Sequence, residues 1–510
     1  MVRQALRQFF VTTPIFYVNG APHIGHAYTS TVADVIARWK RLCGYSVHFL
    51  TGTDEHGKKV QLSAEKVGIS PHDFCDSNSL KFKNYFKAAN IDYTRFIRTT
   101  EPAHAECVSS VWKQLEASGH IYLGEHTGWY CTSDEAFVPD SQVRNGRSLE
   151  SGHPVERISE ENFKFKLSAF SDDLLSFYKE NPDWIVPRSK YNEVIRAVEG
   201  GLPDLSVSRL RAQQPWGISV PGNDEHTIYV WLDALMNYMT GRPASVDGVS
   251  PDWPPNVQVM GKDILKFHAI YWPAFLLALK QPLPQQLLVH AHWTVDGTKM
   301  SKSLGNVIDP MDLIQATSSE HLRYFLLKEG ALDVDGDFSM DRYIAATNAD
   351  LADKWGNLLS RVISHKMSPT QQIGWVRKDS WPSELQQALS TLPPRIVQAY
   401  DDHDFSAVIE QCLQLLRLAN GSFSQQQPWL LYKQGQDIQA SDCVGVCADV
   451  LRVVATLMQP IVPELSQTTL SALGLPEHLR SISTALGGLT AQQAAECLPL
   501  QRNVRLVNKY

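Results

Sequence analysis

Two short strings in this chain carry residue types that handle phosphate. Pro22-His23-Ile24-Gly25-His26 stands where a run of β-branched and aromatic residues gives way to a helical pattern. A helix N-terminus presents free backbone N–H groups and partial positive charge, so a phosphate is a natural ligand there. Two histidines three apart can both donate toward one phosphate group, and Gly25 lets a flat base approach the backbone. The bland reading of the same residues is a pair of histidines that cap or pack a helix start. The second string is Lys299-Met300-Ser301-Lys302-Ser303, which follows an apolar strand at 286 to 293 and the turn Asp296-Gly297. Two lysines on a loop flanked by Ser and Gly can swing, carrying point charges to a triphosphate as its leaving group builds negative charge. Taken singly, that string is a solvated basic loop. Both strings stand at strand ends, and two phosphate elements at the carboxyl edge of one parallel sheet flank the crevice where such sheets bind nucleotides.

The elements that must position these residues follow from the patterning. Residues 8 to 18 read as strand and end at the turn cluster Asn19-Gly20-Ala21-Pro22. A helix follows, with Val32, Val35, Ile36 and Trp39 on one stripe, and then a second apolar strand over 46 to 52. Strand, helix, strand at this spacing is a βαβ unit, which implies a parallel sheet with a right-handed crossover. Similar units recur at 226 to 239, 256 to 272 and 286 to 293, so the sheet is interrupted and resumed. The expected class is therefore α/β: a Rossmann-type doubly wound parallel sheet, an inserted α+β connective domain, and a C-terminal α-helical bundle. The boundaries read as 1–115 for the first half of the sheet domain, 116–225 for the insertion and 226–293 for the second half. The lysine loop region then covers 294–347, and the helical domain 348–510.

The bulk properties agree with this organisation. A chain of 510 residues suggests three to four folding units, and 43% apolar with 20% charged residues is ordinary globular composition. That excludes a peptide hormone, a disulfide-stapled mini-protein and a disordered chain. The net charge is −7 and no region carries a broad basic field, so any polynucleotide must be held by local contacts. Eight cysteines without a Cys-x-x-Cys pair signal neither a disulfide framework nor a zinc knuckle, and point to a reducing, cytoplasmic setting. The apolar run Ala269 to Leu279 contains Pro273 and is too short to cross a bilayer, and the N-terminal stretch reads as a core strand rather than a signal peptide. No membrane association is expected.

The two phosphate strings resemble the signature motifs of class I aminoacyl-tRNA synthetases. The surrounding segments TTPIFYVNGAPHIGHAYT, TGTDEHGKKVQ, YVWLDALMNYM, GKDILKFHAIYWPA and GTKMSKSLGNVIDP are similar to the methionyl-tRNA synthetase family. NLLSRV at 357 to 362 and NGSFSQQQPW at 420 to 429 resemble that family's anticodon-binding helices. The likeness spans nearly the entire chain. It implies ATP-dependent activation of L-methionine to an adenylate, with Mg²⁺, and transfer of the methionyl group to the terminal adenosine of tRNA(Met). His23, His26, Lys299 and Lys302 would then stabilise charge on the phosphates, with Gly25, Ser301 and Ser303 beside the bound ATP. The methionine carboxylate is already a nucleophile, so positioning and electrostatics carry the reaction without a triad.

The resemblance further implies that Asp54 holds the methionine ammonium, where its plainer role would be a helix cap. Ile15, Tyr17, Trp231, Tyr238 and His268 would form the side-chain pocket, since a thioether is polarizable and gains from aromatic edges. The alternative of purely structural aromatics stays open for Tyr238 and is weaker for Trp231. Asn357 and Arg361 lie four apart, off the apolar stripe of Leu351, Trp355, Leu358 and Val362, where they can donate to base edges. Trp429 could stack an unstacked base or simply pack beside Pro428. Relatives often carry zinc knuckles in the insertion. Here only Cys131 and His153 offer ligands, so no zinc and no other metal site is expected, and Cys443 and Cys447 read as buried small hydrophobes. Synthetases for isoleucine, leucine or valine usually carry a far larger insertion, and a small nucleotidylyltransferase needs neither the lysine loop nor a helical C-terminal third. A non-catalytic tRNA-binding paralogue would show a degraded signature. No sign of a dimer seam appears, so a monomer is expected.

Overall fold

The computed structural model describes residues 7–510 apart from 133–135, 139, 150, 244–252, 301–304, 376 and 378–380, and gives only the backbone of His126, Ala136, Ser141 and Lys299. Four strands rich in apolar residues form its centre: Gln8–Thr12, Ser46–Asp54, Val257–Gly261 and Leu287–His290. Val257–Gly261 and Leu287–His290 are buried at every position, the signature of a sheet covered by helices on both faces. All pairings in this sheet are parallel. Across it the order is Arg95–Arg98, Ser46–Asp54, Gln8–Thr12, Val257–Gly261, Leu287–His290, so the first strand has later strands on both sides. That is the doubly wound order with its switch point beside the first strand, where a crevice opens at the carboxyl ends. Pro14 breaks the long strand expected over 8 to 18. The chain re-enters the sheet as Phe16–Tyr17, with Tyr17 opposite Asp54.

Two expectations about the strands need correction. The strand Asn223–Ile228, expected to resume the parallel sheet, pairs antiparallel with Ser208–Leu210 and Ser219–Val220 instead. Conversely, the interval 116–225 is not wholly inserted, because Ile185–Val186 pairs parallel with Leu287 and Leu288 as the outermost strand of the central sheet. Two residues are too short to show a period in sequence. The helices Ser171–Glu180 and Arg188–Glu199 flank that strand in the chain, burying Leu174, Tyr178, Tyr191 and Val194 in one core with Phe275 and Leu287. The rest of the interval does form a separate antiparallel layer, led by the ten-residue pairing of Ile121–Cys131 with Glu156–Phe165.

Beyond 348 the chain is helical, with Ser383–Asp401, Phe405–Gln426, Asp437–Leu457 and Pro463–Ala472 as its main members. These helices share a continuous core with the sheet domain, marked by Trp39 stacked on Tyr400 at a centroid distance of 4.1 Å. A buried arginine ties the two together. Arg323 donates from Nε to the Ile461 carbonyl (2.9 Å) and from Nη2 to the Pro460 carbonyl (2.8 Å), and meets Asp34 at 2.6 Å. Both side chains are fully buried. Asp34 stands on the helix Ile24–Leu42, whose first turn carries His23 and His26, and its pKa is lowered against the effect of burial by Arg323 and Arg38. No helix among the described residues is long and apolar enough to cross a membrane.

Removing one partner of a buried ion pair leaves an uncompensated charge, so Arg323→Met should cost about 3 kcal/mol of stability. Urea unfolding followed by tryptophan fluorescence checks this, with a loss below about 1 kcal/mol counting against Arg323 as the tie.

Candidate active site

His23 occupies the N-cap of the helix Ile24–Leu42 with extended backbone, and its Nδ1 accepts from the Gly25 N–H at 3.1 Å. His26 Nδ1 accepts from the His23 N–H at 3.1 Å, closing a reciprocal capping box built from two imidazoles. With both Nδ1 atoms acting as acceptors, a neutral ring carries its proton on Nε2, the atom from which each can donate to an anion. The rings stack at 3.7 Å, and Phe16 and Phe82 meet His26 edge-on at 5.1 and 5.2 Å. The capping role uses the Nδ1 atom of each ring. A Cβ on residue 25 would lie 3.0 Å from the His23 ring, so glycine there keeps the cap closed.

The lysine loop begins at the same edge of the sheet. Leu287–His290 ends there, with His290 Nε2 bonded to Thr29 Oγ1 at 2.8 Å, and three residues later the hairpin Trp293–Val295 with Thr298–Lys299 opens. Asp296 and Gly297 turn it with φ of 49° and 72°. Asp337 holds the turn by accepting from the Gly297 N–H and the Thr294 hydroxyl, bonds that lower its pKa. Ser301, Lys302 and Ser303 lie outside the described residues, as does the side chain of Lys299. Beyond them the chain returns so that the Ile308 carbonyl accepts the Ile24 N–H at 3.1 Å. The loop thus starts one strand away from the helix carrying His23 and ends bonded to that helix's first residue.

Beside this edge lies an aromatic pocket. Asp54 ends its strand at 6% exposure and caps no helix, since the next one, Lys58–Val67, begins at Gly57 without a side-chain cap. Trp231 sits in the first turn of Val230–Leu235, with its indole stacked on Phe267 at 3.6 Å and 16°. His268 follows Phe267 in a π-helical turn, Phe267–Tyr271, and its Nδ1–H donates to the Ile264 carbonyl at 3.0 Å. Its Nε2 must then accept, and it does so from the Tyr238 hydroxyl at 2.7 Å. Burial pushes the His268 pKa down to about 4, so the ring is neutral, while burial raises the Tyr238 phenol. Half-buried Ile15 and Tyr17 flank Phe16, with Ile15 against the core that contains Tyr238 and Leu232. Tyr238 and His268 are joined directly, Trp231 reaches the same helical turn through Phe267, and Tyr17 stands opposite Asp54 in the sheet. Phe267 was missed in sequence, although it stands within GKDILKFHAIYWPA, because helical periodicity does not register a widened turn.

In the helical domain, Asn357 and Arg361 are exposed while Leu351, Trp355, Leu358 and Val362 are buried. The Arg361 guanidinium lies 5.9 Å from the Phe423 ring centroid, and Phe423 lies 6.1 Å from Trp429. Trp429 is 37% exposed, a partly open aromatic face rather than a buried staple. Arg361, Arg417, Asn420 and Lys354 line a depression of about 450 Å³. Among the described residues no group of three or more His, Cys, Asp and Glu side chains is placed to hold a metal ion. Cys443 and Cys447 are buried, and a bond from Cys443, followed by burial, pushes the Cys447 thiol well up.

Fold and site together define an α/β enzyme of the doubly wound nucleotide-binding class, with a buried carboxylate, Asp54, at the carboxyl end of a central strand. The sequence profile described as tRNA synthetases class I (M) matches residues 9–363. The mitochondrial methionine–tRNA ligase of Xenopus laevis is 43% identical over 500 residues, covering 94% of this chain and 88% of that protein. The methionine–tRNA ligase of Rickettsia prowazekii strain Madrid E is 41% identical over 480 residues, covering 92% and 94%. Among solved structures, Mycobacterium tuberculosis methionyl-tRNA synthetase in complex with methionyl-adenylate superposes with a TM-score of 0.92 at 37% identity, covering 98% of this chain and all of that one. The chain belongs to the methionyl-tRNA synthetase family of class I aminoacyl-tRNA synthetases.

Tyr238→Phe removes the hydroxyl that donates to His268 Nε2 and leaves a buried acceptor without that partner. The expected result is an increase of about tenfold in KM for methionine, read by amino-acid-dependent pyrophosphate exchange, with kcat and KM for ATP within about twofold. A loss confined to kcat would count against Tyr238 as a pocket wall.

Proposed function

We propose that the chain activates L-methionine with ATP and transfers the methionyl group to the 3′ end of tRNA(Met), with the residues in the following roles. The observation that carries this reading is the return of the chain beyond the lysine loop to the helix start, where the Ile308 carbonyl accepts the Ile24 N–H. It supports a single cleft in which nucleotide and amino acid meet. Asp54 holds the ammonium as an ion pair, and Ile15, Tyr17, Trp231, Tyr238 and His268 enclose the thioether. Because His268 is neutral and its Nε2 accepts from Tyr238, the pocket presents no charge to the apolar side chain.

His23 and His26 donate from Nε2 to phosphate oxygens at the helix N-terminus, and Lys299 and Lys302 bring positive charge to the pyrophosphate as it leaves. Gly25, Ser301 and Ser303 border the same phosphates. The carboxylate of methionine attacks the α-phosphorus, the bond to the bridging oxygen breaks, and pyrophosphate departs. The ribose hydroxyl of the terminal adenosine then takes the acyl group, releasing AMP. Mg²⁺ enters with the nucleotide as part of the substrate, since it is typically bound through phosphates and only one or two carboxylates.

Asn357 and Arg361 read anticodon base edges and Trp429 stacks a base. Their support is the exposure of Arg361 and Trp429 on either side of the buried Phe423 ring. The domain division keeps the expected order, with the strand Ile185–Val186 returned to the sheet and the strand Asn223–Ile228 counted with the insertion. The enzyme works as a zinc-free monomer. Its cytoplasmic placement rests on eight free thiols, and mitochondrial import, suggested by the names of several relatives, is the competing outcome of cell fractionation.

Pyrophosphate exchange run across all twenty amino acids should respond to methionine alone, and a stronger response to another amino acid would overturn the assignment. Lys302→Ala should slow adenylate formation by about 10²-fold while leaving tRNA affinity nearly intact. Trp429→Ala should weaken tRNA charging by about tenfold and spare pyrophosphate exchange, and equal losses in both assays would refute the anticodon role.

A further inference from the structure

Asp233 is a fully buried carboxylate that the roles above leave unused. Its Oδ2 accepts from His56 Nδ1 at 2.7 Å and its Oδ1 accepts from His104 Nε2 at 2.8 Å. Side-chain exposure is zero for Asp233 and His104 and 9% for His56. Burial by itself would raise the Asp233 pKa, and the two imidazoles reverse this, holding it at about 2. The carboxylate therefore stays ionised between two donors in the core. A charge so placed is poor as a stabiliser, since apolar residues of similar volume hold a core as well or better.

What the trio does hold is geometry. His56 lies two residues beyond Asp54 at the end of the strand Ser46–Asp54. Asp233 lies two residues beyond Trp231 in the helix Val230–Leu235, and His104 stands in the first turn of the helix Pro102–Ala117. One carboxylate thus clamps the segment carrying the ammonium-binding residue to the segment carrying the aromatic wall. The residue between Asp54 and His56 is locked as firmly on another side. Glu55 receives Arg98 through Nε and Nη2 at 2.7 and 3.0 Å and the Thr53 hydroxyl at 2.7 Å, and its carbonyl accepts Trp216 Nε1–H at 2.6 Å. With Glu55 fixed, His56 has little freedom to follow a displaced Asp233. The clamp thus joins the segments that carry Asp54 and Trp231, and for an α-amino acid held between an ammonium partner and an aromatic wall, their spacing would select the length of the side chain.

We propose that Asp233, acting through His56 and His104, is a positioning residue that fixes the spacing between Asp54 and Trp231 and so tunes the pocket to the length of an unbranched thioether side chain. This rests on the reading of Asp54 and Trp231 as the methionine pocket. Asn at 233 has one acceptor oxygen and one N–H₂ donor, so it cannot accept from both imidazoles in their present tautomers.

The test measures pyrophosphate exchange with methionine and with its one-carbon-longer S-ethyl analogue. Asp233→Asn should raise KM for methionine about tenfold, keep KM for ATP and kcat within about twofold, and reduce the preference for methionine over the analogue about fivefold. His104→Gln, which can keep an N–H donor, should restore most of that preference relative to His104→Leu, and this pair carries the test if Asp233→Asn does not fold. An unchanged preference in Asp233→Asn, or equal behaviour of the two His104 variants, overturns the proposal. Asp54→Asn and Trp231→Ala run alongside: if they leave KM for methionine unaltered, the pocket reading itself fails, whereas a raised KM in them with an unaltered Asp233→Asn removes the clamp alone.

Discussion

Parallel pairing of the central strands is the constraint from which the site follows. With all strands running the same way, their carboxyl ends fall on one edge, and every residue just past a strand is delivered there. Thr13 to Tyr17, Asp54 to His56, Lys262 to His268 and Ala291 to Trp293 are all such residues. The first strand has later strands on both sides, so the chain leaves it toward one side with the His23 helix and comes back on the other with the lysine hairpin. The helix start at His23 and the lysine hairpin are then neighbours by topology. No long-range recognition between their side chains is needed to bring them together.

Around that edge the protein uses buried charges where packing alone would leave freedom. Arg323 joins Asp34 to the carbonyls of Pro460 and Ile461, Arg98 holds Glu55, and two histidines hold Asp233. Each joins elements remote in sequence, and each is directional in a way that an apolar contact is not. Arg323 is the clearest example, because it connects the body of the helix that starts at His23 to the turn between two helices of the C-terminal domain. The helix Ile24–Leu42, capped by His23, is thereby anchored at its middle to the domain that carries Asn357, Arg361 and Trp429.

The legibility of the chain divided along physical lines. The short strings around His23 and Lys302 could be read because backbone donors at a helix start and lysines on a small-residue loop have few other uses together. The apolar stripe of Leu351, Trp355, Leu358 and Val362 was visible at helical spacing, and so were Asn357 and Arg361 on its far side. The strand Asn223–Ile228 was misjudged because alternation reports a strand without reporting its partner, and antiparallel neighbours at 208 and 219 claimed it. Ile185–Val186 was invisible because two residues have no period.

Local sequence determined the elements, their order, and the chemistry each could offer, since helix starts, turns and strand runs depend on neighbours a few residues away. It also determined the family, through strings of many residues spread along the chain. Tertiary structure alone decided which nitrogen of His23 and of His26 accepts from the backbone, that His268 accepts from Tyr238, and that Asp233 lies between His56 and His104. Those outcomes depend on hydrogen-bond partners and burial supplied by segments up to 177 residues apart, and no local pattern encodes a distance of that kind.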